Sequence, residues 1–304
     1  MFSYRHAFHA GNHADVLKHL VLLSTVRHLT QKDTALQFID THAGAGLYRL
    51  DDRLAQTSTE AQDGLLRLAH RVLPPKRTGV SATPEAWAPA LLDYLALVKS
   101  FNPDGGWNHY PGSPFILQSQ LRPRDRLKLF ELHPTDSRGL TANIAQLESG
   151  RQIAVLREDG FAGIKQFLPP PQRRGLVLCD PSYELKSDYQ HVMRMMNDAL
   201  TRFATGTYLV WYPIIARLDA QALPRKLYQL ARRSRRAWLH ASLSIGAMPP
   251  QGDAPAPAKL RASGVFVINP PHTLYGALQE ALPQVAQCLA QGASAGSALD
   301  AGEA

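Results

Sequence analysis

The fold class of this 304-residue chain follows from the stretch Phe38-Ile39-Asp40-Thr41-His42-Ala43-Gly44-Ala45-Gly46, an apolar run that ends in an acidic residue and two glycines. A second run of the same kind, Gly175-Leu176-Val177-Leu178-Cys179, leads into Asp180-Pro181-Ser182-Tyr183. Short apolar runs are typical of strands buried in a parallel sheet, and ligands bind beyond the carboxyl ends of such strands. The two stretches therefore predict one sheet edge that collects polar side chains from distant parts of the chain.

Alternating helix and strand patterns surround these two runs. Helical spacing extends from about His13 to Leu29, with Asn12 as the expected N-cap, and strand–helix pairs follow one another after residue 115. We therefore predict an α/β fold, a mostly parallel, doubly wound, Rossmann-like sheet. A late hairpin contributes an antiparallel strand.

Composition shifts divide the chain into segments. Residues 51–108 carry leucines at helical spacing broken by prolines, which predicts an inserted helical subdomain within a main domain of residues 1–50 and 109–290. Residues 1–12 form a polar, aromatic N-terminal arm. Residues 291–304 are small and polar, and we predict a disordered tail there.

The bulk composition excludes several protein classes. Hydrophobic residues make up 45% of the chain and charged residues 19%, which predicts a packed core rather than disorder. Neither a signal peptide nor an apolar run of membrane-spanning length is evident, and two cysteines give no disulfide framework, so we expect a cytoplasmic monomer. The net charge of +8 favours a polyanionic partner, although many soluble proteins are similarly basic.

The glycines Gly44 and Gly46 allow the backbone to approach a ligand closely after the first strand. A dinucleotide fold would open directly into a helix after its third glycine, and this chain has no such glycine. Asp40 at the strand end would repel a diphosphate but suits an ammonium group. These features favour S-adenosylmethionine, which carries an ammonium group and no phosphate, while a glycine turn without a ligand would look the same.

Two further acidic residues follow predicted strands. Glu131 lies at the end of the predicted strand Leu127 to Leu132, where a carboxylate can accept hydrogen bonds from both ribose hydroxyls. Asp159-Gly160 follows the strand Ile153 to Leu156, and its carboxylate could accept from an adenine amino group. Each also has a simpler interpretation, a surface glutamate and an Asp-Gly turn.

The residues Asp180, Pro181 and Tyr183 form the most informative candidate catalytic group. An exocyclic amine is a poor nucleophile because its lone pair is delocalised into the ring. A carboxylate from Asp180 and the carbonyl of Pro181 can hold both N–H bonds and aim the nitrogen, and Tyr183 offers a face for an extruded purine. The alternative is a strand-to-turn cap with a tyrosine in the core.

The N-terminal arm is rich in histidine and aromatic residues. No cysteine or acidic cluster completes a metal site with these histidines, so we expect no metal. Tyr4 is instead a candidate for base stacking, and Arg5 and Lys18 are candidates for phosphate contacts with RNA.

Several motifs together resemble the bacterial large-subunit ribosomal RNA adenine-N6 methyltransferase J family (RlmJ). They are Ser3-Tyr4-Arg5-His6, His9-Ala10-Gly11-Asn12-His13-Ala14-Asp15-Val16-Leu17-Lys18-His19, the glycine stretch above, Tyr110-Pro111-Gly112-Ser113-Pro114, Glu131-Leu132-His133-Pro134, Arg173-Arg174-Gly175-Leu176, Tyr208 with Trp211-Tyr212-Pro213, and Asn269-Pro270-Pro271. The resemblance spans nearly the whole chain and is weakest in residues 51–108, in the loop at 249–258 and in the tail.

The resemblance implies a class I S-adenosylmethionine-dependent methyltransferase that forms N6-methyladenosine at one adenine of 23S rRNA. It places Asp180 at the catalytic position and Tyr4 on the RNA, with Lys18 in the same motif. It also implies cofactor contacts from His19, His42, Ser113, Glu131, Asp159 and Gly160. The family's Asp-Pro-Pro-Tyr reads Asp-Pro-Ser-Tyr here, because Ser182 stands in the third place.

Other functions remain open from the residues alone. The same pocket type accepts planar amides, so a DNA adenine or protein-amide methyltransferase is one alternative. An RNA-binding protein with an inactive methyltransferase fold is another alternative, and Ser182 would be its first inactivating substitution. A nicotinamide oxidoreductase is disfavoured by the missing third glycine.

Overall fold

The computed structural model describes residues 6–51, 59–74, 86–246 and 260–303. These residues form an α/β fold around an eight-stranded sheet, which confirms the predicted class. The strands are β1 Gln37–Asp40, β2 Leu47–Arg49, β3 His109–Pro111, β4 Arg126–Phe130, β5 Ile153–Leu156, β6 Gly175–Cys179, β7 Thr207–Pro213, β8 Trp238–Ser244, β9 Ala262–Ile268 and β10 Gly296–Gly302.

The strand order of the main sheet is β10-β8-β9-β7-β6-β1-β4-β5. Strands β5, β4, β1, β6 and β7 are parallel, whereas β9 runs antiparallel between β7 and β8. The order reverses beside β1, which pairs with β4 on one side and β6 on the other. Such a reversal opens a crevice at the carboxyl ends of the strands. The two motifs singled out in the sequence end on either side of this crevice.

Nine helices cover the sheet or connect its strands within the described ranges. They are α1 His13–Gln31, α2 Arg67–Val72, α3 Pro89–Ser100, α4 Ser113–Ser119, α5 Pro134–Ala145, α6 Gly160–Gly163, α7 Ser187–Arg202, α8 Leu218–Arg233 and α9 Leu274–Leu289. Short 3-10 helices span His6–Phe8 and Ile164–Phe167, and Gln62–Leu66 forms a π-helical turn.

Both faces of the sheet are buried, which explains the continuous apolar runs. On β6, Leu176 and Leu178 face a cluster with α1, α3 and α9, while Val177 and Cys179 face a cluster with α7 and α8. Side chains alternate between the two faces of a strand, so a strand with both faces covered needs an apolar residue at every position.

Helix α1 is the central helix of the first cluster. Its N-cap is Asn12, as predicted, whose side chain accepts a hydrogen bond of 2.9 Å from the backbone N–H of Asp15. Burial extends around most of α1 and includes Asp15 and Lys18 as well as its apolar residues. Charged side chains are rarely buried without a partner, so we expect Asp15 and Lys18 to have ionic partners elsewhere in the fold.

The C-terminal region differs from the prediction. Residues 296–302 do not form a disordered tail but the edge strand β10, which pairs antiparallel with β8 along its full length. The sheet therefore has two antiparallel strands, β9 and β10, where the sequence predicted one. Glycine, alanine and serine have weak strand propensity, and the pairing with β8 supplies the backbone hydrogen bonds that hold the segment.

The segment between β2 and β3 is helical where it is described. Helices α2 and α3 contact α9, and α3 also contacts α1, within the same hydrophobic cluster as the sheet. The boundaries 51–108 of an inserted subdomain stay a prediction. No helix in the described ranges has both the length and the apolar character needed to cross a bilayer.

Candidate functional site at the carboxyl edge of the sheet

A cleft of about 1490 Å³ opens at the carboxyl ends of the parallel strands. Residues that follow β1, β4, β5 and β6 line it, together with α1 and the residue Ser113 at the start of α4. The prediction that this edge collects the candidate residues is therefore confirmed for most of them. His19, His42, Gly44, Ser113, Glu131, Asp159, Gly160, Asp180, Pro181 and Tyr183 all lie on the wall.

Glu131 connects the loops after β1 and β4. Its Oε2 accepts a 2.7 Å hydrogen bond from the backbone N–H of Gly44, and its Oε1 accepts one of the same length from the N–H of His133. Burial raises the pKa of this carboxyl group, although the two backbone donors favour its charged form. Each carboxylate oxygen has a further lone pair, so Glu131 can still accept from a ligand hydroxyl.

Gly160 brings the loop after β5 against the loop after β1. A Cβ atom at this position would lie 2.0 Å from the carbonyl oxygen of Thr41, so only glycine allows this approach. The side chain of Asp159 caps α6 by accepting from the N–H of Phe161 at 2.9 Å. The ring of Phe161 meets the ring of His42 edge to face at 4.6 Å, and both rings line the cleft.

Two histidines on the wall are neutral. Burial lowers the pKa of His42 to about 3 and moves that of His19 well below its usual range. His19 shares a 2.6 Å hydrogen bond with the hydroxyl of Tyr110 through Nδ1, while its buried Nε2 has no partner among the described residues. A buried polar atom without a partner on a cleft wall is available to a ligand.

Gly46 and Asp40 do not lie on the cleft wall. Gly46 has a positive φ of 82° and faces Leu140 and Phe115, so packing explains this glycine. Asp40 is fully buried, and its carboxylate accepts a 3.2 Å hydrogen bond from the N–H of His42. Burial, with the nearby Asp180, raises its pKa to about 7, partly offset by the Ser113 hydroxyl.

Asp180 belongs to a buried charge cluster that sequence reasoning missed. Its Oδ2 accepts from the ammonium group of Lys18, which also contacts Oδ1 of Asp15 at 2.8 Å. Oδ2 of Asp15 contacts Nε2 of His6 at 2.9 Å. The side chains of Lys18 and Asp180 are 5% and 11% exposed, so solvent screens this pair weakly.

The cluster fixes the charge state of its members. Burial would lower the pKa of Lys18, but Asp15 and Asp180 raise it above its usual value. Burial raises the pKa of Asp180, and Lys18 opposes that rise. Lys18 is thus held charged beside the Asp180 carboxylate and lines the cleft, and its predicted contact with an RNA phosphate stays a prediction. A lysine three residues after an aspartate, among the valines and leucines of a predicted helix, was the available signal.

Tyr183 exposes less of its ring than a surface for base stacking needs. It is 3% exposed, its ring lies 4.6 Å from that of Tyr189, and its hydroxyl donates to the carbonyl of Trp211 at 2.7 Å. Its φ of 55° is in the left-handed region, which is costly for an aromatic residue. Arg217 supports the same turn, because its Nη1 donates to the carbonyl of Tyr183 at 3.2 Å.

The predicted RNA contacts Tyr4 and Arg5 lie outside the described residues. Two other arginines, Arg122 and Arg174, have structural partners. They donate to carbonyl groups at and just beyond the end of α1, near the amino ends of the strands and opposite the cleft. Within the described ranges, no group of three or more His, Cys, Asp or Glu side chains is arranged to hold a metal ion.

Known proteins are similar to this chain in sequence and in fold. A family model described as "Ribosomal RNA large subunit methyltransferase D, RlmJ" matches residues 33–300. The "Ribosomal RNA large subunit methyltransferase J" of Escherichia coli is 40% identical over 93% of this chain and 92% of its own length. The protein of the same name from Haemophilus influenzae is 38% identical over 95% of this chain and 94% of its own length.

A solved structure supports the fold over nearly the full length. The crystal structure of protein LPL1258 from Legionella pneumophila superposes with a TM-score of 0.78 at 29% identity, and covers 97% of this chain and 98% of its own. The sequence matches and this superposition agree with the resemblance found in the motifs. The chain therefore belongs to the RlmJ family of ribosomal RNA large subunit methyltransferases.

Proposed function

We propose that this protein transfers a methyl group from S-adenosylmethionine to the N6 nitrogen of one adenine in 23S rRNA. The observation that carries the proposal is the position of Asp180 on the cleft wall, paired with the buried Lys18 and across the crevice from Glu131 and Asp159. Family membership supports the RNA substrate class, because the two relatives carry large-subunit rRNA methyltransferase names.

The residues on the donor side fit S-adenosylmethionine. Glu131 would accept from the ribose hydroxyls, and His42 with Phe161 would pack against the adenine ring. The unpaired Nε2 of His19 is available to a polar group of the amino-acid moiety. When bound, S-adenosylmethionine supplies an electrophilic methyl group on a sulfonium, and no metal is needed for that chemistry.

Asp180 and Pro181 would orient the nucleophile. Their carboxylate and carbonyl oxygens would each accept an N–H bond of the target amine, which localises its lone pair and aims it at the methyl carbon. The N6 nitrogen would bond to the methyl carbon as the carbon–sulfur bond of the donor breaks, which releases S-adenosylhomocysteine, and it would then lose one proton to Asp180 or to water. Because the methyl group passes directly, no covalent enzyme intermediate forms. Lys18 would keep Asp180 ionised and fixed until the amine is bound.

The substrate class can be tested with labelled donor. We expect the wild-type protein to incorporate tritiated methyl groups into rRNA from a strain that lacks this gene, and not into DNA or total protein. Asp180→Ala should keep donor affinity and lose nearly all incorporation. Labelling of DNA or protein in preference to rRNA would refute the proposal, and so would full activity of Asp180→Ala.

A further inference from the structure

The cleft is large enough to hold a donor and a nucleotide side by side. Its volume of about 1490 Å³ exceeds the roughly 300–1,000 Å³ of a pocket that holds one small molecule. The part beyond Asp180 is lined by the segment after the Asp-Pro-Ser-Tyr turn and by the segment after β7. Neither segment has a role in the transfer mechanism described above.

These two segments carry a cluster of exposed apolar side chains, which we call the rim patch: Leu185, Ile214 and Leu218. Leu185 is 65% exposed, Ile214 is 40% exposed and Leu218 is 84% exposed. They account for three of the seven strongly exposed large apolar side chains in the described ranges. Leu185 and Ile214 lie on the cleft wall, and Leu218 follows at the start of α8.

Basic side chains flank the rim patch. Arg217 lines the cleft between Ile214 and Leu218, and the exposed Lys186 follows Leu185. The 3.2 Å hydrogen bond from Arg217 to the carbonyl of Tyr183 joins the two segments, so the patch adjoins the catalytic turn. Glu184, which is also exposed, lines the same part of the cleft, so the charges here are mixed. Exposed apolar side chains with an adjacent arginine and lysine fit a nucleotide, which presents a flat apolar base and a phosphate.

We propose that the rim patch binds a nucleotide adjacent to the target adenine. Extrusion of the target base removes a stacking neighbour from the flanking base, and the aliphatic side chains of Leu185 and Ile214 replace that contact. Arg217 lies where it can pair with the phosphate between the two nucleotides. This inference rests on the proposed RNA methylation and adds the residues that select RNA over a free nucleoside.

The test uses Leu185→Ser and Ile214→Ser in the full chain, with Leu92→Ser as the matched control. Leu92 is 39% exposed on α3 and does not line the cleft. The substrates are the rRNA fragment that the wild-type protein methylates and two versions with an abasic nucleotide on the 5′ or the 3′ side of the target. Donor affinity and melting temperature report whether each variant is folded.

We expect each rim variant to raise the KM for the intact fragment about tenfold, which corresponds to the loss of one stacked base. The kcat and the donor affinity should be unchanged. One of the two abasic fragments should raise the wild-type KM by a similar factor but leave the KM of the variants nearly unchanged, because the contact is already lost. Leu92→Ser should behave as wild type throughout.

Two results would overturn the inference alone. One is that neither rim variant changes the KM for the intact fragment. The other is that the rim variants raise the KM, relative to wild type, by the same factor on the intact fragment and on both abasic fragments. A wild-type protein that methylates no rRNA fragment would instead refute the proposed function on which the inference depends.

Discussion

Replacing Lys18 by methionine should destabilise the protein strongly, because it leaves two buried carboxylates without their shared cation. Lys18 contacts Asp15 and Asp180, whose side chains are 1% and 11% exposed. Removing one partner of a buried ion pair typically costs about 3–5 kcal/mol. At about 2–4 °C per kcal/mol for a chain of this size class, we expect the melting temperature to fall by about 10 °C.

The stability loss should depend on pH in a defined direction. Burial already raises the pKa of Asp180, and removal of Lys18 raises it further above its unfolded value. A carboxyl group with a raised folded pKa destabilises the folded state above that pKa and has no effect once the pH is below its unfolded pKa. The difference between Lys18→Met and wild type should therefore be larger at pH 8 than at pH 5.

Denaturant titrations at both pH values measure this difference directly. The double variant Lys18→Met/Asp180→Asn removes one of the two stranded charges, so it should recover a substantial part of the lost free energy of unfolding while remaining inactive. A loss below about 1 kcal/mol at pH 8, the range of an exposed pair, would refute the claim that this cluster is buried and coupled. An equal loss at pH 5 would refute the pH argument.

Three further predictions concern residues around the cleft. The wild-type free energy of unfolding should fall by about 3 kcal/mol between pH 5 and pH 8, because the Asp40 carboxyl has a folded pKa of about 7 and must ionise while buried. Asp40→Asn should abolish this fall, as measured by denaturant titrations at both pH values. Gly160→Ala should cost about 2 kcal/mol and weaken donor binding in calorimetry, because its Cβ would lie 2.0 Å from the Thr41 carbonyl oxygen; unchanged affinity would contradict the close approach. Arg217→Gln should lower kcat severalfold, because the Tyr183 turn loses a hydrogen bond, and should raise the KM for the rRNA fragment, because the proposed phosphate contact is lost, while donor affinity stays unchanged. Arg225→Gln, exposed on α8, should leave all three constants unaltered.

The sequence predicted the features that local patterns determine. Apolar runs with both faces buried identify β1 and β6, and the residues that follow them lie at the carboxyl edge of any parallel sheet. The crevice and most of its wall could therefore be predicted without coordinates. The N-cap of α1 followed in the same way, because a cap depends on residues only three positions apart.

Features that depend on packing between distant segments could not be predicted. Lys18 and Asp180 are 162 residues apart, and only the position of α1 over the sheet brings them together. Strand β10 has little intrinsic strand propensity and is held by its register with β8. Gly46 looked like a ligand glycine because spacing does not reveal which glycine faces the cleft and which faces the core.

The central claim is that Asp180 presents the amine of an extruded adenine to the methyl donor. A crystal structure of the protein with S-adenosylhomocysteine and adenosine tests it most directly. The account predicts the Asp180 carboxylate within hydrogen-bonding distance of N6, and N6 about 3–3.5 Å from the position of the transferred methyl group. An Asp180 carboxylate that still contacts only Lys18, with the adenine bound elsewhere in the cleft, would contradict it.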